Sequence, residues 1–286
     1  MQENIFFGVH KAMNEAIPGK GSKPLVLVKL GGSLITDKNV PYSVHLNVIE
    51  RLAKEIAEVK KAGKIDLIVG HGGGSFPHVS AKKYQTSSGF IGKESEYGMC
   101  VVQNDAARLN RIIVSSLLDA GVKAMSFQTS AVCVAKDSKI QNFYLDSMKE
   151  LLEHEIIPVP YGDVGVDLNK GCCILSTEEI FRFLATQFHP RKIVMVGKVD
   201  GVFTADPIKD KTAKHIREIS KENWQETKKY LGGSDGTDVT GGMIHKIEQS
   251  IDMAKSGAEV EIISGLREGN LKRCLFGENV GTSIRW

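Results

Sequence analysis

The sequence lacks the features that would place it in a membrane, in a secretory route or on nucleic acid. No apolar run approaches the roughly 20 residues that a membrane-spanning helix needs. The formal net charge is only +3, and the basic residues are scattered rather than clustered, which argues against a nucleic-acid partner. The N-terminus has neither the basic start nor the long apolar middle of a secretory signal, so we expect none.

Cysteine is also sparse. The five cysteines form no C-x-x-C pair, and their odd number gives no disulfide framework. We therefore expect reduced, mostly structural thiols in a cytoplasmic protein. No spacing of His, Cys and carboxylates matches a zinc site, and no carboxylate cage predicts another metal site. The 286 residues, 42% of them hydrophobic, are enough for a sizeable globular core.

Strand and helix patterns alternate along the chain. Buried strands are predicted at 25–30, 66–70, 123–127, 192–197 and 258–264. Helical spacing predicts helices within 43–63 and 99–121, from Ser176 onward, and from about Gly242 to Ser256. Ser176 and Glu179 have the spacing of a capping box. The alternation predicts an α/β fold, a three-layer α/β/α sandwich around an open, mainly parallel sheet.

One domain boundary is visible near the N-terminus. The stretch "PGKGSKP" (18–24) is typical of a flexible hinge. We therefore predict an N-terminal extension at 1–23 and a single α/β domain at 24–286.

Glycine clusters follow several of the predicted strands. They lie in "KLGGSLITDK" (29–38), "GHGGGSFPH" (70–78), "PYGDVGVD" (160–167) and "DVTGGMIHK" (238–246). Ligands of parallel sheets bind at the carboxyl ends of strands, where glycine turns and helix N-termini can hold an anion. Four such segments in one chain favour phosphate binding. The P-loop pattern is absent, and "GHGGGS" does not complete a dinucleotide-binding motif.

Five motifs resemble, in order, those of the amino acid kinase superfamily: "VKLGGSLITDK", "GHGGGSFPH", "GDVGVD…ILSTEEI", "GKVDGVFTADP" and "DVTGGMIHKI". The opening motif and the histidine after "GGGSF" resemble the isopentenyl phosphate kinases. The resemblance implies transfer of the ATP γ-phosphoryl group to isopentenyl phosphate, giving the diphosphate. It also implies ATP and Mg²⁺ as cofactors, a small phosphate substrate and a homodimer as partners, and a role in making isoprenoid precursors.

The resemblance assigns an ATP site. Lys29 closes the first strand, and Lys38 would stabilise the charge of the transferring phosphoryl group. Lys246, four residues after Gly242, would face the same anion from the first turn of a helix. Asp200 matches a position near the nucleotide, although a turn-forming aspartate would look the same. The implied ATP-binding residues are Lys29, Gly31, Gly32, Ser33, Gly74, Asp200, Gly242 and Lys246.

The resemblance also assigns an acceptor site. Gly73 and Gly162 would let the substrate phosphate approach the backbone, and His78 would donate an N–H to it. His78 thereby joins Lys29 and Lys38 as an implied catalytic residue. His71, at the end of a strand, is expected to be structural. An apolar pocket for the hydrocarbon tail is expected among the residues between 90 and 118.

One position departs from the family pattern. Where the family reads Ser-Phe-Gly-His, this chain has Ser75-Phe76-Pro77-His78. Proline fixes φ near −65°, so a positive φ at this position in the family would require His78 to be aimed differently here.

Other functions remain open at this stage. A fosfomycin (phosphonate) kinase or another small phosphate-monoester kinase of the superfamily would share these motifs. A nucleotide-binding regulator without turnover would not need Lys38.

Overall fold

The computed structural model describes residues 23–37, 39–207, 209–232 and 241–286. The helices are α1 (Gly32–Ile35), α2 (Leu46–Ala62), α3 (Ser75–Tyr84), α4 (Ser95–Asp119), α5 (Thr129–Val132), α6 (Asp146–Glu153), α7 (Thr177–Phe188), α8 (Trp224–Gly232), α9 (Gly241–Ala254) and α10 (Asn270–Leu275). The strands are β1 (Leu25–Leu30), β2 (Asp66–His71), β3 (Ala124–Phe127), β4 (Cys133–Lys136), β5 (Lys139–Phe143), β6 (Ile157–Pro160), β7 (Asp163–Asp167), β8 (Gly171–Leu175), β9 (Lys192–Gly197), β10 (Val202–Phe203), β11 (His215–Ile216), β12 (Glu218–Ile219), β13 (Glu259–Ser264) and β14 (Thr282–Ile284). The predicted N-terminal extension lies outside the described residues, except for Lys23.

The central sheet has six strands in the order β12-β14-β13-β9-β1-β2. Strand β1 pairs in parallel with β2 and β9, and β9 pairs in parallel with β13. Strand β14 is antiparallel to β13. The parallel pair β3-β6 adjoins β2 through a bridge between His71 and Tyr161. The prediction of an open, mainly parallel sheet is therefore confirmed.

Two hydrophobic cores lie on opposite faces of this sheet, because successive residues of a strand point to opposite sides. On one face, Leu27 of β1 packs in a cluster with residues of α7 and α9. On the other face, Val26 and Val28 pack in a cluster with residues of α2, α4 and α10. The sheet is thus covered on both sides, which confirms the three-layer α/β/α arrangement.

A second sheet was not predicted. Its order is β5-β4-β7-β8, and its hairpins β4-β5 and β7-β8 are antiparallel. The prediction of a glycine loop at 160–167 is therefore wrong for most of that segment: β6 ends at Pro160, β7 begins at Asp163, and only Tyr161 and Gly162 link them. Gly165 is paired within the β7-β8 ladder opposite Cys173.

The predicted helix ends are largely as expected. Gly63 follows α2 in the left-handed conformation, with φ of 68°. The Ser176 hydroxyl caps α7 by accepting a hydrogen bond from the Glu179 N–H at 3.1 Å. The Glu179 carboxylate does not complete the capping box. It accepts instead from the Ile140 N–H at 3.0 Å and so fastens α7 to the second sheet.

Neither long apolar helices nor disulfides occur in the described parts of the chain. Within those ranges, no helix combines the length and the hydropathy that crossing a bilayer requires. All five cysteines are free, and all but Cys100 are buried. The burial of four of them agrees with the structural role expected of these thiols.

Replacing Glu55 by glutamine should destabilise the fold. Glu55 is buried in α2, and its carboxylate accepts from the N–H groups of Gly269 and Lys272 at 3.1 and 3.0 Å, which joins α2 to the start of α10. Since hydrogen bonds to a charged group contribute about 1.5–3 kcal/mol, Glu55→Gln should lower the free energy of unfolding by about 2 kcal/mol. Urea unfolding would measure the difference.

The matched control is Glu58→Gln, one turn along the same helix. Glu58 pairs with Lys272 on the surface at 2.8 Å, and an exposed pair of this kind contributes less than about 1 kcal/mol. Equal losses in the two variants would contradict the role given to Glu55.

Candidate active site

A cavity of about 750 Å³ opens at the carboxyl ends of β1, β2 and β9. It gathers most of the residues that the sequence analysis singled out. From the predicted ATP site, it is lined by Lys29, Gly31, Gly32, Ser33, Gly74 and Lys246. From the predicted acceptor site, it is lined by Gly73, His78 and Gly162. The fold thus brings distant parts of the chain around one space.

The two glycine turns that follow β1 and β2 lie backbone against backbone. A Cβ atom added to Gly32 would lie 2.6 Å from the nitrogen of Gly74. The buried hydroxyl of Thr36 joins the turns, since it donates to the Gly32 carbonyl at 2.7 Å and accepts from the Ser75 N–H at 2.9 Å. These contacts join the two turns, which contain Gly32 and Gly74, into one continuous surface at the base of the cavity. This surface is called the floor of the cavity below.

Gly74 has a conformation that other residues rarely adopt, with φ of 57° and ψ of −141°. A Cβ atom at this position would also lie 2.3 Å from Oγ1 of Thr36. Sequence analysis explained this glycine by the close approach of a phosphate. The structure adds a reason that is internal to the protein, because the turn could not pack on Thr36 otherwise.

The first turns of four helices also reach the cavity. Ser33 of α1, Pro77 of α3, Thr177 of α7 and Met243 of α9 all line it. The N-terminus of a helix carries a partial positive charge and unpaired N–H groups. The cavity is therefore suited to a polyanion, although α1 is only one turn long and contributes little dipole.

Lys29 forms an ion pair with Glu178 in the first turn of α7. Both side chains are largely buried, with 11% and 18% of their surface exposed. Burial alone raises the pKa of Glu178, but the charge and hydrogen bond of Lys29 and the charge of Lys246 outweigh it, so the pKa lies below its ordinary value. Glu178 is thus an ionised carboxylate that Lys29 and Lys246 stabilise.

Helix α3 carries His78 into the cavity. Pro77 is the third residue of this helix, and the positive φ of the turn belongs to Gly74. Pro77 is thus in the first turn of α3, and His78 one residue later lines the cavity. Proline is tolerated there because the N–H groups of a first turn have no partner within the helix.

The part of the cavity around His78 has an apolar side. Ala81 of α3, Val102 of α4 and Ile174 of β8 line it. These side chains belong to a small hydrophobic cluster centred on Val102, Val164 and Cys172. Val102 lies in the segment 90–118, where the sequence predicted an apolar pocket.

His71 lies beneath the floor and is fully buried. Its ring lies 3.1 Å from both the Gly72 carbonyl and the Asn110 amide, and its own carbonyl accepts from Thr177 and Gly162. Burial lowers its pKa to about 4, which keeps the ring neutral at pH 7. These contacts agree with the structural role expected of it.

Three predicted residues are not placed in the cavity. Lys38 lies outside the described residues. Gly242 is in the first turn of α9, and its surroundings lie outside the described part. Asp200 does not line the cavity and instead pairs with Arg267 at 2.6 Å. It precedes Gly201, whose φ is 129°.

Comparison with known proteins agrees with this geometry. Residues 24–264 match the amino acid kinase family. The chain belongs to the amino acid kinase family. It is 36% identical to an isopentenyl phosphate kinase of Methanocaldococcus jannaschii and 33% identical to one of Methanothermobacter thermautotrophicus. Each alignment covers 91% of this chain and 98% of the relative.

Comparison with solved structures also shows similarity to isopentenyl phosphate kinases. A crystal structure described as isopentenyl phosphate kinase superposes with a TM-score of 0.77 at 29% identity, covering 91% of this chain and 99% of the other. The chain is therefore a kinase with the amino acid kinase fold, and it is similar to isopentenyl phosphate kinases in both sequence and structure.

Sequence reasoning about this kinase missed two acidic residues of the cavity, Glu178 and Asp163. Asp163 is buried beside Gly162, and burial raises its pKa to about 6. Both lie inside motifs that the sequence analysis quoted, directly after Thr177 and Gly162. A carboxylate next to a residue expected at a phosphate site was the available signal, but the capping pattern at Ser176 drew attention to Glu179 instead.

Replacing Gly74 by alanine should disrupt the floor of this kinase. The Cβ atom would meet Thr36 and also enforce an unfavourable backbone conformation, so we expect a loss of unfolding free energy of at least about 3 kcal/mol. The control is Gly63→Ala, where φ is 68° and nothing lies within 4 Å of the added Cβ atom. It should cost only about 1–2 kcal/mol. Thermal unfolding of both variants checks the difference.

Replacing Glu178 by glutamine should weaken the ion pair with Lys29 in a pH-dependent way. Because the folded-state pKa of Glu178 is below its ordinary value of 4.5, its stabilisation is present above that pH and is lost as pH falls through the lower, folded-state pKa. The stability gap between wild type and Glu178→Gln should therefore narrow below pH 4.5. A gap that stays constant from pH 7 to pH 3 would contradict this account.

Proposed function

We propose that this kinase transfers the γ-phosphoryl group of ATP to isopentenyl phosphate and releases isopentenyl diphosphate and ADP. The observation that carries the proposal is the composition of the cavity. One part has glycine turns, helix N-termini and lysines that include Lys29 and Lys246, as a nucleoside triphosphate requires. The other part has His78 next to a small apolar pocket, as a short hydrocarbon monophosphate requires. Relatives named isopentenyl phosphate kinase support the same substrate.

In this proposal the protein works by positioning and by charge. The acceptor is a phosphate oxygen, which is already deprotonated near neutral pH because the second pKa of a phosphate monoester is about 6. A general base is therefore not required. Lys29, Lys246 and Lys38 would stabilise the negative charge on the transferring group, and in-line geometry would follow from holding both phosphates on the same floor.

The acceptor phosphate is proposed to lie between Gly73, Gly162 and His78. An added Cβ atom at Gly162 would lie 3.4 Å from the Gly73 nitrogen, so the backbones of the two glycines approach each other closely. The Gly73 N–H and the His78 imidazole would donate to the phosphate, and protonation of His78 would strengthen its bond. The Gly162 N–H is held by the His71 carbonyl at 2.9 Å, so Gly162 would contribute close approach rather than a hydrogen bond. The hydrocarbon tail would then contact Ala81, Val102 and Ile174.

Magnesium is proposed to enter with ATP. Among the residues that the structure describes, no three His, Cys, Asp or Glu side chains form a group that could hold a metal. Glu178 is engaged by Lys29, and Asp163 accepts from the Ser130 and Val164 N–H groups. This donor set fits an ion held mainly by phosphates and water, where it would neutralise charge on the ATP oxygens.

Further parts of the proposal rest on the sequence and on family membership. Residues 24–286 are proposed to form one catalytic domain preceded by an N-terminal extension. The enzyme is proposed to be a cytoplasmic homodimer, and the free state of all five cysteines is consistent with a reducing compartment.

A fosfomycin kinase is the second candidate function. The glycine turns and His78 would suit a phosphonate equally well, so only the apolar pocket argues for a hydrocarbon tail. A regulator without turnover is less well supported, because it would not need an acceptor pocket beside the nucleotide site.

The proposal is tested by measuring ADP release with Mg-ATP and four acceptors: isopentenyl phosphate, dimethylallyl phosphate, fosfomycin and UMP. We expect the highest kcat/KM for isopentenyl phosphate. Lys29→Met should lower kcat by a factor on the order of 10²–10³, the scale of a lost transition-state donor, and serves as the inactive control. Preference for fosfomycin or UMP would reject isopentenyl phosphate as the substrate, and no turnover of any acceptor would favour the regulator.

A further inference from the structure

A lysine that has no assigned role faces the acceptor part of the cavity. Helix α3 presents Pro77, His78, Ala81 and Lys82 to this space. Lys82 lies one helical turn after His78, and side chains at this spacing are neighbours on the surface of a helix, with Cβ atoms about 6 Å apart. A phosphate bound to the His78 imidazole is therefore within reach of the long Lys82 side chain.

Lys82 is also not committed to another group. It is exposed, and it forms no hydrogen bond or ion pair with any residue in the described ranges. Two other lysines show the contrast. Lys29 is paired with Glu178 inside the cavity. Lys83, the next residue of α3, lies over the ring of Tyr84 at 4.7 Å and does not line the cavity.

The acceptor part of the cavity needs positive charge. A phosphate monoester brings close to two negative charges at neutral pH, and it must approach a bound nucleoside triphosphate. The buried carboxyl group of Asp163 lines the same part of the cavity, next to Gly162. Lys29 and Glu178 largely neutralise each other. Lys198 and Lys246 also line the cavity, but they lie after β9 and on α9 rather than on α3. His78 and Lys82 are the cavity-lining residues of α3 that can bring positive charge to this phosphate.

We propose that Lys82 is a specificity-determining residue of the acceptor site, whose ammonium group binds the phosphate of the incoming monoester beside His78. This inference rests on the proposed function, since it needs a phosphate-bearing acceptor. It explains how the site selects a dianion: an uncharged alcohol with the same hydrocarbon tail would leave the lysine without a partner.

Steady-state kinetics of charge-graded variants test the proposal. Lys82→Gln should raise the KM for isopentenyl phosphate about three- to tenfold, Lys82→Glu should raise it further, and Lys82→Arg should stay near wild type. The KM for ATP and the kcat should change less than about twofold, because the charge acts on acceptor binding. Added salt should reduce the difference between wild type and Lys82→Gln, since Lys82 is exposed.

Lys83→Gln and Lys83→Glu are the matched controls, because they make the same charge changes one residue away and outside the cavity. Equal changes in the KM for isopentenyl phosphate in the Lys82 and Lys83 series would overturn the proposal. They would indicate a long-range effect of surface charge rather than binding by Lys82. An unchanged KM for isopentenyl phosphate in Lys82→Gln, or an equal rise in the KM for ATP, would also overturn it. A wild-type enzyme without activity on any phosphate acceptor would reject the proposed function, and this inference with it.

Discussion

The contact between the two glycine turns is the constraint on which the site depends. Strands β1 and β2 are parallel and in register, with Leu30 opposite His71, so the turns that follow them leave the sheet side by side. Only glycines allow those turns to touch at Gly32 and Gly74, and the Thr36 hydroxyl then joins them. Lys29 and His78 are thereby fixed on either side of one floor, which positions a nucleotide group and an acceptor group for a reaction between them.

The Glu178 carboxylate beside Lys29 and Lys246 is explained by electrostatics. Lys29, which is largely buried, and Lys246, which is exposed, would repel each other and several helix N-termini in the empty enzyme. Glu178 offsets this cost through its ion pair with Lys29 and through the charge of Lys246. Bound ATP would supply its own negative charge, so Glu178 would then orient Lys29 rather than neutralise the site. The carboxylate thus stabilises the lysines without requiring a ligand.

Local signals made much of this molecule predictable. The four parallel strands β1, β2, β9 and β13, the left-handed end of α2 at Gly63 and the glycine turns after β1 and β2 follow from short stretches of sequence. The short strands β12 and β14 were not predicted. The second sheet was missed because its strands are short and its glycines resemble turn signals. Glu178 was missed for a different reason: it meets Lys29 across 149 positions of sequence, and only the packing of α7 against β1 brings the pair together.

Pro77 departs from the family pattern, and the consequence of this change falls on Gly73. Its ring occupies the space beside Gly73, where an added Cβ atom would lie 2.3 Å from Cγ of the proline. In this chain the glycine at 73 is therefore required by the proline as well as by any bound phosphate. Because Pro77 lies in the first turn of α3, the helix loses no internal hydrogen bond. His78 lines the cavity. The proline adds one constraint, because position 73 must then be glycine to leave room for the proline ring.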